Sequence, residues 1–216
     1  MTYLQIVNNV LKRLRERTVS TVNETSYSEL IGILVNDAKR EVEDAWSWSA
    51  LRTTLSATTS DGVYSYELNG SGNRITILDV INDTSDIVMD YKPAHWMNKA
   101  FLTTSAVNKG DPLFYSFNGI SSDGDTQVDI YPIPDKAYDI RFNVILRNAD
   151  FTNDADETEI PVQAIQSLAY AKAVEERGED GGQSVQSAYS VASRMLSDAI
   201  SLDAAKHPEE TIWYEV

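Results

Sequence analysis

The sequence predicts an α+β protein: a four-helix α domain drawn from both chain ends, with an antiparallel, β-sandwich-like domain inserted into it. Three observations predict this. Apolar residues recur at steps of three and four before residue 46 and again after residue 161, the period of a helix with one buried face. In between they alternate, most strictly at Ile140, Phe142, Val144 and Leu146, the period of a strand with one buried face. Residues 128–177 hold the change of period: a strand, a turn at Pro132 and Pro134, a second strand, an acidic loop, and a helix entered at Pro161. The expected bounds are 1–50 and 158–207 for the helical domain, 51–150 for the inserted domain and 208–216 for an extended C-terminal tail.

Each element has its own signal. Leu4, Val7, Leu11 and Leu14 mark a first helix, and Lys12, Arg13, Arg15 and Arg17 cluster toward its C-terminus, where cations complement the helix dipole. After a polar connection, Tyr27, Ile31, Leu34, Ala38, Val42 and Ala45 repeat the stripe. Helices this short need a packing partner. Trp46 and Trp48 stand at the change to strands, which are expected at 51–59, 63–68, 75–81 and 87–91 with turns at Asp61-Gly62 and 69–73. Residues 93–106, with Trp96, Met97, Ala100 and Phe101, suit a short helix that starts at a proline and lies across the sheet. Strands resume at 113–117, 127–131 and 138–146. The loop 148–159 places Asp150, Asp154, Asp156, Glu157 and Glu159 ahead of a helix N-terminus, where negative charge is favoured. The next helix carries Val162, Ile165, Leu168, Ala169 and Val174 and stops near Gly178. A last helix, 183–206, carries Val185, Tyr189, Ala192, Leu196 and Ala199 at alternating steps of four and three, a pattern made for helix packing within one chain or between copies. His207-Pro208 ends it, and EETIWYEV follows.

Composition excludes several classes of function. A chain of 216 residues with 42% hydrophobic and 24% charged content can bury a core unaided and has no disordered character. The absence of cysteine removes disulfides, thiolate catalysis and cysteine-bound metals, and fits synthesis in a reducing cytoplasm. No run of eighteen apolar residues suggests a membrane span, and the spaced apolar residues of the first turns do not read as a secretory signal. A net charge of −15 opposes wrapping around nucleic acid, which needs a cationic surplus.

The search for reactive chemistry returns little. His95 and His207, the only histidines, have no companions at metal-ligand spacing. There is no phosphate-binding glycine loop and no nucleophile elbow. Asp123-Gly124-Asp125 with Asp129 misplaces the glycine and the final carboxylate of a calcium loop, and reads as a turn beside an edge strand. With 33 acids, no single carboxylate pair of the glycosidase kind stands out. No catalytic, metal or cofactor site is expected. The four Trp and 11 Tyr are better suited to broad contacts. Ile212, Trp213 and Tyr214 stand on the tail with no local core to join, which marks them for docking on a partner, the other reading being a tail folded back onto its own helices. Val185, Tyr189, Ala192, Leu196 and Ala199 are the candidate for packing between subunits.

Taken in order, two N-terminal helices, the Trp-x-Trp of Trp46 and Trp48, the Tyr-x-Leu of Tyr66 and Leu68, the Tyr-Pro-x-Pro of Tyr131 to Pro134, an acidic loop into Ile160-Pro161, and two closing helices resemble the head-to-tail adaptor proteins of short-tailed bacteriophages. These are also called tail tubular protein A or gatekeeper proteins. The resemblance covers nearly the whole chain and rests on the order of the motifs. It implies a structural, non-enzymatic virion protein at the head-to-tail interface. Such proteins form a ring, commonly of twelve copies, between the portal and the tail nozzle or tube; tail fibres often attach outside, and genomic DNA passes the lumen without specific binding. It further implies a helical domain in the ring wall and at the portal, a β domain toward the tail or periphery, and an arm bearing Ile212, Trp213 and Tyr214 between portal subunits.

Two physical arguments fit that implication. Twelve copies at −15 each would carry about −180, enough to discourage DNA from sticking to a lumen-facing patch. Ring closure also requires a heterologous interface, for which the helix 183–206 offers one face. The alternative is a carbohydrate-binding or carbohydrate-degrading β-sandwich in which sugars stack on strand aromatics, although Tyr64, Tyr66 and Phe142 suit a core face equally well. A third reading is an oligomeric scaffold unrelated to phage.

Overall fold

A computed structural model describes residues 1–102, 108–178 and 183–206. Among them are five α-helices: α1 (Tyr3–Arg13), α2 (Ser26–Ala45), α3 (Ala94–Leu102), α4 (Val162–Arg177) and α5 (Gln183–Ala204). The strands are β1 (Arg52–Thr58), β2 (Ser65–Glu67), β3 (Ile75–Asn82), β4 (Ile87–Val88), β5 (Asp90–Tyr91), β6 (Phe114–Ile120), β7 (Thr126–Tyr131) and β8 (Asp139–Leu146). The chain divides into two compact units, one formed by Met1–Leu51 with the chain from Asn148 on, the other by Arg52–Arg147.

In the helical unit, α1 and α2 open with capping boxes. Thr2 accepts from the Gln5 amide while the Gln5 side chain accepts from the Thr2 amide, and Thr25 and Ser28 do the same for α2. Each box satisfies two of the amides that a helix start leaves free. α4 ends at Gly178, whose φ of 61° is the left-handed conformation that glycine adopts without strain.

α4 packs against α1, α2 and α5, so its burial differs from a single stripe. Ala164, Ile165, Ala169, Ala171 and Ala173 are buried, whereas Val162, Leu168 and Val174 are only half-buried. Small residues on the inner faces let neighbouring helices approach closely. α2 also departs from its expected stripe: Val35 is buried, Leu34 half-buried and Ala45 exposed. Inside α2, a Cβ added at Gly32 would lie 2.3 Å from the Tyr3 hydroxyl and 2.8 Å from a Val22 methyl. Only glycine fits there without movement of a buried neighbour.

The acidic loop does something other than favour the start of α4, whose first turn contains no acid. Its carbonyls at Asp156 and Asp154 accept from the free Tyr3 and Leu4 amides of α1 at 2.8 and 3.1 Å. Asp154 accepts from the Val22 amide, and Asp150 pairs with Arg40 of α2. The loop is thus a brace between the two ends of the chain, and the carboxylates of Asp150 and Asp154 meet partners there.

The β unit contains two four-stranded sheets, ordered β1-β8-β3-β4 and β2-β7-β6-β5. All pairings are antiparallel except β5 with β6, which is parallel. Residues 87–91 are therefore not one strand: the chain pairs with the first sheet at β4 and with the second at β5, and buried Met89 lies between. One cluster of buried residues draws on both sheets, with Val80, Ile140, Phe142 and Val144 from one and Tyr115, Val128 and Ile130 from the other. Asp123-Gly124-Asp125 turns between β6 and β7, which are inner strands, so the expected edge position is wrong. There Asp125 accepts from the Gly70 and Gly72 amides at 2.9 and 2.7 Å. α3 is tied to the second sheet by aromatic rings: Trp96 lies 5.2 Å from Phe114 and 5.5 Å from Tyr131, and Phe101 lies 5.5 Å from Tyr131.

Candidate interaction site

The feature best suited to meeting a partner lies along α5. This helix packs on α4, where Ser167 reaches the Met195 sulfur at 2.9 Å and Tyr189 donates to Glu175. Burial, helped by the Glu175 carboxylate, pushes the Tyr189 phenol up to about 12. Of the expected subunit-packing residues, Ala192 is buried, and Val185, Tyr189, Leu196 and Ala199 are half-buried.

The end of α5 is pinned by a carboxylate that sequence reading did not select. Asp203, 5% exposed, accepts from the Ser49 amide at 2.9 Å, the Ser49 hydroxyl at 2.6 Å, the Trp46 indole at 3.2 Å and the Lys206 ammonium at 3.1 Å. Burial alone would raise its pKa, but the Ser49 bonds and Lys206 outweigh it and hold the group at about 2. The two tryptophans of the junction divide the work. Trp48 is buried and donates to the Val42 carbonyl at 2.7 Å, while Trp46 stays at the surface and grips Asp203.

Beside this pin runs an open groove of about 610 Å³, lined mostly by carbon atoms of Trp48, Pro161, Met195, Ala199 and Leu202. Leu202 is 72% exposed. Glu159 and Asp198 are on the lining, exposed and without an ion-pair partner among the described residues. The other end of the α4/α5 pair has the opposite charge. Arg13, Arg15, Tyr170, Arg177 and Ser184 surround a hollow of about 320 Å³, with Arg13 6.0 Å above the Tyr170 ring. Arg177 pairs with Glu16 and donates to the Leu14 carbonyl.

A protein-family model described as SU10 adaptor protein matches residues 1–211. The chain belongs to that family. It is accordingly a structural adaptor protein of a bacteriophage, a virion component that works against other virion components. No curated protein matches it. Among the adaptor's described residues, no helix is long and apolar enough to cross a membrane.

The remaining expected site residues of the adaptor, Ile212, Trp213 and Tyr214, lie outside the described residues, and also beyond the stretch matched by the family. Of the aromatics considered for sugar stacking, Phe142 is buried and Tyr66 half-buried; Tyr64, just ahead of β2, is 42% exposed and packs on Phe101. The groove and the Asp203 pin could be found only in part from sequence. The stripe on α5 was visible, but an aspartate near a helix end reads as solvated unless its distant partners are known.

Proposed function

We propose that this adaptor assembles into a ring, of about twelve copies by analogy with the short-tailed phage proteins it resembles, between the portal and the tail nozzle or tube. Genomic DNA passes through the lumen, and tail fibres can attach outside. The membership over residues 1–211 carries the reading and weighs against a carbohydrate-acting β-sandwich.

Within that reading the helical unit is a four-helix assembly that supplies the ring wall, and the two sheets form a sandwich around their shared core cluster. The half-buried edge of α5, with Val185, Tyr189, Leu196 and Ala199, is one face of the contact between copies; buried Ala192 serves packing on α4. Ile212, Trp213 and Tyr214 dock on the portal. The acidic surface, −15 per chain, keeps DNA from adhering.

The test begins with the purified chain, whose mass is measured by light scattering before and after addition of the portal ring from the same phage, with electron microscopy of the mixture. A small species that becomes a stoichiometric ring on the portal is the expected result. A chain that neither assembles nor binds the portal would sink the proposal.

A further inference from the structure

We propose that the groove beside α5 is the seat of the chain's own Trp213, held there until a stronger partner takes it. The groove has a mostly apolar lining with an exposed Leu202 at its edge and space of about 610 Å³. That space is ample for one large aromatic side chain and part of a neighbour, and an apolar lining would take about 150–250 Å² of each such ring from water.

The chain leaves α5 at the groove itself, because Lys206 is part of the lining. Asp203 fixes that departure point by tying the last turn to Trp46 and Ser49. Pro208, two residues on, has no amide to continue a helix and disfavours helical backbone in the residue before it. Trp213 follows seven residues after Lys206, a reach of up to about 25 Å when extended. The α5 side of the groove, from Met195 to Leu202, rises only about 10 Å, so reach does not limit docking.

Charge opposes the contact. Glu209, Glu210 and Glu215 flank the apolar residues of the tail, and Glu159 and Asp198 stand in the groove lining with no ion-pair partner among the described residues. Like charges at exposed positions repel modestly and are screened by salt. Apolar burial therefore holds the tail, and repulsion keeps the hold weak enough to be displaced. This goes beyond the ring assignment and is tested on the isolated chain, so either idea can fail alone.

The test labels the full chain with 5-fluorotryptophan and follows the four indoles by fluorine NMR, assigning Trp213 by its loss in Trp213→Ala. In dilute protein shown to be monomeric, the Trp213 resonance is expected away from the random-coil position. It should move to that position in Leu202→Asp and in Ala199→Leu, which charge or fill the groove. The Trp96 resonance, from the other unit, and the far-ultraviolet circular dichroism should stay as in the parent and report an intact fold. Added salt should shift the parent resonance further from random coil. A Trp213 resonance already at random coil, or one indifferent to both substitutions, overturns the proposal. So does a shift that appears only at concentrations where copies associate, because the occupant would then be a neighbour's tail.

Discussion

The two units are held together in different ways. The β unit is one continuous stretch, Arg52–Arg147, and its shared core cluster is made of apolar residues and two tyrosines. The helical unit is assembled from two stretches far apart in sequence, and polar groups tie them. Lys39 donates to the Asn148 and Ala149 carbonyls at 3.1 and 2.9 Å, and the Asn36 side chain both donates to and accepts from the backbone of Phe151. Arg40 pairs with Asp150, Lys172 with Glu41, and Asp203 holds Trp46 and Ser49. Alternating strands select their register through which face is buried. Helices that meet only after a long insertion gain register from directional bonds at the seam.

The largest expected effect tests that contrast at Lys39. Lys39 and Glu43 form a 2.8 Å ion pair with both side chains essentially buried. Lys39→Met removes one charge of a buried pair and two bonds that fix the returning chain, so it should cost about 3–5 kcal/mol. Denaturant unfolding gives the magnitude, and hydrogen exchange across residues 26–45 and 148–177 tells which unit opens. Adding Glu43→Leu should recover most of the loss. Phe142→Ala, in the β core, should cost a similar amount, about 3–5 kcal/mol, with exchange rising in β8 and β3 instead. If Lys39→Met opens the two units equally, they do not differ as described.

Gly32→Ala comes next. Alanine favours a helix over glycine by about 1 kcal/mol, but its methyl group would press on Tyr3 and Val22. Overpacking of about 1–3 kcal/mol should prevail, lowering the unfolding midpoint of the helical unit. A higher midpoint would mean that Tyr3 and Val22 yield easily. The Tyr3 phenol, raised to about 12 by burial and by Asp154 and Asp150, offers a second readout: its ultraviolet titration should move toward 10 if the ring is pushed outward.

How much of this was legible in the sequence follows the same contrast. The alternation at Ile140, Phe142 and Val144 identified strand β8 because one apolar face fills one core. The stripe through Ile31, Ala38 and Val42 identified α2 for the same reason. Lys39 and Glu43 were missed because such side chains are seldom buried, and the carbonyls that Lys39 meets lie across the insertion. The division of 87–91 between two sheets escaped notice because each half is two residues long, too short for any period to register. On α4, alanines carry the central packing, and a search for large apolar residues passes over them.

The smallest expected effect concerns Asp203 and separates its charge from its bonds. Asp203→Asn keeps an acceptor for Ser49 but gives up the charge that attracts Lys206, and should cost about 1 kcal/mol near neutral pH. Its pH dependence is more informative. Folding lowers this pKa from 3.8 to about 2, so the folded chain binds the proton less readily than the unfolded one. The contribution is complete above about pH 4 and is lost as pH falls through 3.8 toward 2. Asp156, also held below the usual range in this unit by the Asn153 and Thr152 amides, titrates in both proteins and cancels in the difference. The stability gap between parent and Asp203→Asn should therefore shrink between pH 4 and 2, and Lys206→Ala should narrow the gap at neutral pH by weakening what holds the pKa down. A gap that stays constant through that window would mean that Ser49 and Trp46 bind the carboxyl group equally well with or without its proton.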